Sequence, residues 1–196
     1  RNIYLRPNFI NINNVVPKYK RFENKILTVG RLENQKNYEK LINDFANSDF
    51  TIDIVGEGSR LEELKKLAIS NNTNVNFMGK IPNSELQSLY TKYLFYVSTS
   101  LFEGNPKTVL EAMSHGCIAL ISNIDNHKEL IIDNENGFLV DTEESFKNVI
   151  IELKHNKNKM ESISSSAQKY ITKNNNIERL VDLVYSDYVS IAHYKS

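Results

Sequence analysis

The chain has 196 residues, 40% of them hydrophobic, which is enough for one sizeable core in a single domain. Its 24 Lys and Arg residues balance its 24 Asp and Glu residues, so no overall field draws it to nucleic acid or to an anionic membrane. Cys117 is the only cysteine and excludes an intramolecular disulfide, which favours a reducing compartment, and we expect a cytoplasmic protein.

Residues 1–24 are mostly polar and contain one short extended segment, Pro7-Asn8-Phe9-Ile10-Asn11. They predict a linker at the end of an upstream unit. From residue 26 onward, short apolar runs alternate with amphipathic stretches, the pattern typical of βαβ units. The predicted strands are residues 26–29, 51–55, 75–78, 94–98, 118–121 and 137–140. The predicted helices between them are residues 38–46, 59–70, 83–91, 106–115 and 126–131.

Two of these helices carry start signals. Ser84 and Gln87 have the spacing of a capping box, and Asn105-Pro106 predicts an N-cap followed by proline at the first helical position. After the last strand only helical patterns follow, at residues 143–155, 159–170 and 177–193, with a turn at Asn174-Asn175-Asn176. The sequence therefore predicts a Rossmann-like, doubly wound six-stranded parallel α/β sheet over residues 25–175 and a C-terminal helix within residues 176–196.

Ligands of open parallel sheets bind beyond the carboxyl ends of the strands, so the strand-to-helix junctions are the places to search. The first junction, Gly30 to Lys36, places Arg31 and Lys36 where an anion could bind. Taken alone, these two cations could equally be a solvated surface pair.

The second and third junctions are Gly56-Glu57-Gly58 and Gly79-Lys80-Ile81-Pro82. The second begins like a dinucleotide fingerprint but has Leu61 in place of the third glycine, so it predicts only a tight turn that something approaches closely. The third frees backbone groups for contact with a flat ligand, although a plain turn explains it equally well.

The fourth junction, residues 98–113, is the most informative. A helix beginning at Pro106 would leave the amides of Lys107, Thr108 and Val109 unpaired at the positive end of its dipole, where phosphate binds. Glu103 precedes this helix and Glu111 lies inside it, so two carboxylates would face one crevice from different depths and accept hydrogen bonds from sugar hydroxyls.

Two other interpretations of these carboxylates stay open. Glu103 could only favour the helix dipole while Glu111 pairs with Lys107. The two could also serve as acid and base in hydrolysis, although a phosphate-binding helix end beside them argues for a charged leaving group. The four histidines show no metal-ligand spacing, so we expect no metal site, and we expect Cys117 to pack in the core.

The motifs of these junctions resemble one known family. Their order and intervals are similar to those of the donor domain of family 4 retaining glycosyltransferases, which form the C-terminal half of a GT-B fold. The resemblance covers roughly residues 7–140. It rests on Val29-Gly30-Arg31-Leu32 with Lys36, Gly56-Glu57-Gly58, Phe77-Met78-Gly79, and Glu103 with Glu111.

The resemblance implies roles for named residues. Arg31 and Lys36 would hold the diphosphate, Glu103 would bind donor-sugar hydroxyls and Glu111 would accept from the ribose. The implied catalytic residues are Glu103, Arg31 and Lys36. The implied substrate-binding residues are Gly30, Gly56, Glu57, Gly79, Lys80, Ile81, Gly104, Asn105, Pro106, Lys107, Thr108 and Glu111.

The activity implied is a metal-independent hexosyltransferase that uses a UDP-, GDP- or ADP-sugar, needs no cofactor, and retains the anomeric configuration. Its acceptor would be a saccharide or a lipid-linked saccharide of surface polysaccharide or glycoconjugate synthesis, in the cytoplasm or peripheral to the inner face of the membrane. The N-terminal acceptor half would precede this chain, and without it we expect no transfer. A non-catalytic nucleotide- or phosphosugar-binding module, a GT-B epimerase and a phosphorylase remain as alternatives.

Overall fold

The structure, a computed structural model, describes residues 9–10 and 21–193, with side chains up to Val189. Most of the linker predicted at residues 1–24, including Pro7, Asn8 and Asn11, lies outside the described residues. The described part forms a six-stranded parallel sheet in the order β3-β2-β1-β4-β5-β6. The strands are β1 Phe22–Val29, β2 Thr51–Val55, β3 Asn74–Gly79, β4 Tyr93–Ser98, β5 Ile118–Ser122 and β6 Phe138–Val140.

Helices cover both faces of this sheet. They are α1 Tyr38–Asp44, α2 Leu61–Ser70, α3 Asn83–Tyr90, α4 Lys107–Ser114, α5 Asp125–Lys128, α6 Phe146–Lys154, α7 Lys157–Asn174 and α8 Ile177–His193, with a short 3₁₀ helix at Asn34–Lys36. One core packs α1, α2 and α6 against the sheet, and the second packs α3 and α4 against the opposite face. The predicted Rossmann-like, doubly wound fold is therefore confirmed.

Strands β2, β4 and β5 and the second half of β1 are buried on both faces, and most of their residues are apolar, as is typical of parallel sheets. In β1, Ile26 contributes to one core and Leu27 to the other, and neither is exposed to solvent. Burial of each such side chain contributes about 1.5–3 kcal/mol. The polar exception in β2 is Asp53, whose carboxylate accepts a hydrogen bond of 2.5 Å from the hydroxyl of Tyr93.

The first strand begins four residues earlier than the sequence predicted. Phe22 donates its backbone N–H to the carbonyl of Lys92 at 2.8 Å, and its ring packs edge-on against Tyr93 with centroids 5.3 Å apart. These contacts with the neighbouring strand extend β1 into a segment that is too polar to show a strand pattern of its own.

Both predicted caps are wrong. The N-cap of α3 is Pro82, whose carbonyl accepts from the amides of Glu85 and Leu86, so Ser84 lies inside the first turn and makes no capping bond. Pro106, rather than Asn105, is the N-cap of α4, and no side chain caps this helix. In each case a proline takes the N-cap position and supplies the first helical carbonyl, which displaces the predicted polar cap.

The C-terminal helix α8 carries apolar side chains on its surface. Val181, Tyr185 and Tyr188 are 60%, 71% and 71% exposed. Its start is fixed by a parallel bridge between Ile10 and Asn176, where the N–H of Ile177 donates to the Ile10 carbonyl at 3.2 Å. Of the helices in residues 21–193, none is both long enough and apolar enough to cross a membrane.

Candidate functional site

The strand order reverses between β1 and β4, and the loops that follow these two strands meet beyond their carboxyl ends. The N–H of Leu101 donates to the carbonyl of Gln35 at 2.9 Å, and the Gln35 side-chain amide donates to the carbonyl of Phe102 at 2.8 Å. The hydroxyl of Thr99 donates to the carbonyl of Lys36 at 2.8 Å. A crevice at this reversal is the usual ligand position in open α/β sheets.

Lys36 and Glu103 form an ion pair in this crevice. The Lys36 ammonium donates to Oε1 of Glu103, and the hydroxyl of Ser100 donates to the same oxygen at 2.6 Å. The side chains of Lys36 and Glu103 are only 18% and 8% exposed, so this is not the solvated surface pair that the sequence left open. Gly30 lies directly beside this lysine, and a Cβ there would lie 2.9 Å from Cε of Lys36, so the lysine side chain would have to shift.

The loop that carries Glu103 is also held from the β5 side. The side-chain amide of Asn126 donates to the backbone carbonyl of Glu103. The next residue, His127, is completely buried, and its Nδ1 lies 2.7 Å from the carbonyl of Ser122. The pKa of His127 is lowered, chiefly because the ring is buried. The charges of Glu103 and Lys36 act on this pKa in opposite directions, Glu103 raising it and Lys36 lowering it. Because the pKa of His127 is lowered overall, we assign its ring as neutral.

Glu111 lies deeper than Glu103 and has a different partner. Only 5% of Glu111 is exposed, and its Oε2 accepts a hydrogen bond of 3.2 Å from the hydroxyl of Tyr90. Burial raises the pKa of Glu111, and the Tyr90 hydrogen bond and the charge of Lys107 act in the opposite direction. Lys107 makes no direct ion pair with Glu111 within the part of the chain that the structure describes.

The start of α4 offers fewer free amides than the sequence predicted. Lys107 donates its N–H to the carbonyl of Asn105 at 2.8 Å, and Val109 donates to the carbonyl of Pro106 at 2.9 Å. The prediction of three unpaired donors is therefore wrong, because the chain closes a tight turn before the helix. Thr108 keeps an amide with no partner among the described residues, and its hydroxyl accepts from Tyr96 at 2.8 Å.

The glycine junctions after β2 and β3 support the first loop from the side. Gly56 adopts a φ of +147°, and a Cβ there would overlap the carbonyl oxygen of Gly30. The close approach predicted for this turn is therefore made by the protein's own backbone. Gly56 also donates its N–H to the carbonyl of Gly79 at 2.8 Å, and Glu57 accepts from the amide of Leu32 at 2.9 Å.

Six of the predicted site residues are exposed to solvent, whereas Pro106 is buried. The exposed ones are Arg31, Glu57, Lys80, Gly104, Asn105 and Lys107. Arg31 forms no ion pair with any residue that the structure describes, so its guanidinium can bind an anion. Within the same residues no group of three or more His, Cys, Asp or Glu side chains could hold a metal ion.

A comparison with protein-family models identifies the family of this chain. The model of the family described as glycosyl transferases group 1 matches residues 12–183. The chain belongs to this family. The O-antigen biosynthesis glycosyltransferase WbnH of Escherichia coli is 35% identical over 144 residues, which are 70% of this chain and 41% of WbnH.

Two further comparisons agree with this assignment. The GtfA subunit of the UDP-N-acetylglucosamine–peptide N-acetylglucosaminyltransferase of Limosilactobacillus reuteri is 30% identical over 142 residues, 68% of this chain and 27% of the subunit. A crystal structure of an S. aureus TarM variant with fondaparinux, alpha-GlcNAc-glycerol and UDP has a TM-score of 0.83 at 24% identity. The aligned part is 93% of this chain and 38% of the TarM chain. The glycosyltransferase domain thus spans less than half of each of these proteins, and the TarM likeness shows the shared fold.

Sequence reasoning assigned no role to three residues of this glycosyltransferase domain that position Glu103 and Glu111. Ser100 ends a polar run after β4, Asn126 follows β5, and Tyr90 ends α3. The rule that ligands bind at the carboxyl ends of strands would have included Ser100 and Asn126. Tyr90 gives no such signal, because its position beside Glu111 depends on how α3 packs against α4.

Proposed function

We propose that this domain is the donor half of a family 4-like retaining glycosyltransferase with the GT-B architecture. It binds a nucleoside diphosphate sugar and transfers the hexose, with retention, to a saccharide or lipid-linked acceptor of surface polysaccharide or glycoconjugate synthesis. The observation that carries the proposal is the partly buried Lys36–Glu103 pair at the strand-order reversal of a glycosyl transferases group 1 domain.

Each charged group has one role in this proposal. Arg31 and Lys36 bind the diphosphate, and the free amide of Thr108 adds a donor at the positive end of α4. Fixed positive charge stabilises the negative charge that grows on the leaving nucleoside diphosphate, so no metal is needed. Glu103 accepts hydrogen bonds from the sugar hydroxyls and positions the sugar.

The nucleoside is held on the other side of the crevice. The buried Glu111 accepts from the ribose hydroxyls, and the backbone from Gly79 to Ile81 contacts the base. We propose uracil as that base, because the name of the GtfA relative specifies UDP-N-acetylglucosamine and the TarM crystal contains UDP.

The Lys36–Glu103 pair has a second consequence for donor binding. The negative charge of Glu103 lies against the Lys36 ammonium and weakens its attraction for a bare nucleoside diphosphate. A complete sugar nucleotide offers both groups a new partner, since Lys36 then meets phosphate while Glu103 meets a sugar hydroxyl. The pair therefore favours the intact donor over the leaving product.

The acceptor side belongs to the remainder of the enzyme in this proposal. The domain spans 27% of the GtfA subunit and 41% of WbnH, which leaves room for an acceptor-binding half in proteins of that kind. The exposed apolar residues of α8 would contact that half. We place the reaction in the cytoplasm or at the inner face of the membrane.

The test is a titration of the chain with UDP, GDP and ADP, followed by chemical-shift mapping. We expect UDP to bind most tightly and to perturb Gly30, Lys36, Gly79 and Glu111. Perturbations confined to the amino ends of the strands, around Asp53 and Tyr93, would contradict the proposed site.

A further inference from the structure

Tyr90 is the last residue of α3, and its side chain reaches across to α4. It is completely buried, and its hydroxyl donates to Oε2 of Glu111 at 3.2 Å. The ring stacks on His115 with centroids 5.7 Å apart and packs at a tilt against Tyr96 at 6.1 Å. Cys117 donates its thiol to the Tyr90 carbonyl at 3.3 Å. Both the ring and the backbone of Tyr90 are therefore held in place.

The Glu111 carboxylate has two oxygens with different surroundings. Oε2 is the oxygen that accepts from Tyr90, and Oε1 has no hydrogen-bond partner among the residues that the structure describes. Oε1 is not among the fully buried side-chain atoms that lack a partner, so it is accessible to solvent. One fixed donor on Oε2 limits the rotation of the carboxylate, and Oε1 is the oxygen that remains open to a ligand.

We propose that Tyr90 is a positioning residue that holds Oε2 of Glu111 and thereby presents Oε1 to the ribose hydroxyls of the bound nucleotide. This inference rests on the proposed function, in which Glu111 binds the ribose. Tyr90 itself does not touch the ligand. It acts on recognition of ribose only through the orientation and charge of Glu111.

A phenol suits this role better than a cation would. Burial raises the pKa of Tyr90, and the neighbouring groups Tyr96 and Glu111 raise it further, so the hydroxyl keeps its proton and remains a donor. Because the donor is neutral, the carboxylate is oriented without losing its negative charge. A lysine or arginine at this place would compete with the ribose for that charge.

The experiment compares UDP with 2′,3′-dideoxy-UDP, which lacks both ribose hydroxyls, by isothermal titration calorimetry on the 196-residue chain. The affinity ratio of the two nucleotides measures recognition of the ribose. We expect Tyr90→Phe to reduce this ratio by about threefold to tenfold, the usual range for one lost hydrogen bond. The matched control is Tyr93→Phe, which removes a buried tyrosine–carboxylate bond to Asp53 at the other end of β4 and leaves the ratio unchanged.

A pH series provides a reading that loss of stability alone would not change. The hydrogen bond from Tyr90 lowers the pKa of Glu111, so its removal raises that pKa. UDP affinity in Tyr90→Phe should then begin to fall at a higher pH during acidification than in the wild-type chain. Tyr93→Phe should follow the wild-type profile.

The outcomes separate this inference from the function on which it rests. If the wild-type chain does not discriminate the two nucleotides, or if Glu111→Gln keeps the full ratio, the ribose role of Glu111 fails. If Glu111→Gln loses the ratio while Tyr90→Phe keeps both the ratio and the pH profile, the role of Tyr90 is overturned. If Tyr90→Phe does not fold, the hydrogen bond is measured in the wild-type chain by NMR. Exchange of the Tyr90 hydroxyl proton for deuterium should then shift the carboxyl carbon resonance of Glu111. Absence of this isotope shift overturns the role of Tyr90.

Discussion

Replacement of Glu103 by Gln should tighten the binding of bare UDP. The Lys36 ammonium contacts the Glu103 carboxylate, and this negative charge competes with the diphosphate for Lys36. The two side chains are 18% and 8% exposed, so we take about 1 kcal/mol for the pair, the upper end of the range for surface ion pairs. Release of Lys36 should therefore raise UDP affinity by about fivefold.

The same substitution should act differently on the sugar nucleotide. Glu103→Gln replaces the charged acceptor for the sugar hydroxyls by a neutral amide oxygen, so a bond worth about 1.5–3 kcal/mol falls to about 1 kcal/mol. The ratio of UDP-sugar affinity to UDP affinity should then fall by about twofold to thirtyfold. The matched control is Glu33→Gln, whose exposed carboxylate lies in the loop after β1 and accepts from Ser59.

Calorimetry with UDP and UDP-N-acetylglucosamine measures both effects on the same protein samples. The UDP-sugar to UDP affinity ratio should fall in Glu103→Gln and stay constant in Glu33→Gln. An unchanged or weaker UDP affinity in Glu103→Gln would refute the competition between Glu103 and the diphosphate for Lys36.

Three further predictions follow from the described contacts. Arg31→Ala combined with Lys36→Ala should lower UDP affinity and make it less sensitive to salt, since each charged contact contributes about 1.5–3 kcal/mol; unchanged calorimetric affinity would contradict the phosphate assignment. Gly56→Ala should lower the melting temperature strongly, because its Cβ would overlap the Gly30 carbonyl at a φ of +147°, and a loss of under 1 kcal/mol in denaturant unfolding would disagree with that geometry. The chain alone should release no UDP in an acceptor-dependent manner, because positioning of the acceptor supplies about 7–11 kcal/mol of barrier reduction; turnover equal to that of a protein with an acceptor-binding half would show otherwise.

The order of helices and strands was predictable because short, mainly apolar runs mark the strands and amphipathic stretches mark the helices between them. The presence of Lys36 and Glu103 at one edge of the sheet was predictable from the same pattern, since both follow strands. Their direct contact was not, because it depends on β1 pairing with β4, and no local pattern specifies which strands are neighbours. The N-cap of α4 was predicted one residue too early. The backbone turn in which Lys107 donates to the Asn105 carbonyl has no signature in the spacing of residues.

Gln35 and Asn126 hold the Glu103 loop from two sides, and both belong to this chain. The loop therefore acquires its shape when the domain folds and does not wait for closure around a substrate. For enzyme engineering, this means that donor specificity should be retained when the domain is transferred to another protein. A chimera that joins it to a foreign acceptor-binding half should keep its own nucleotide sugar while it builds a new linkage.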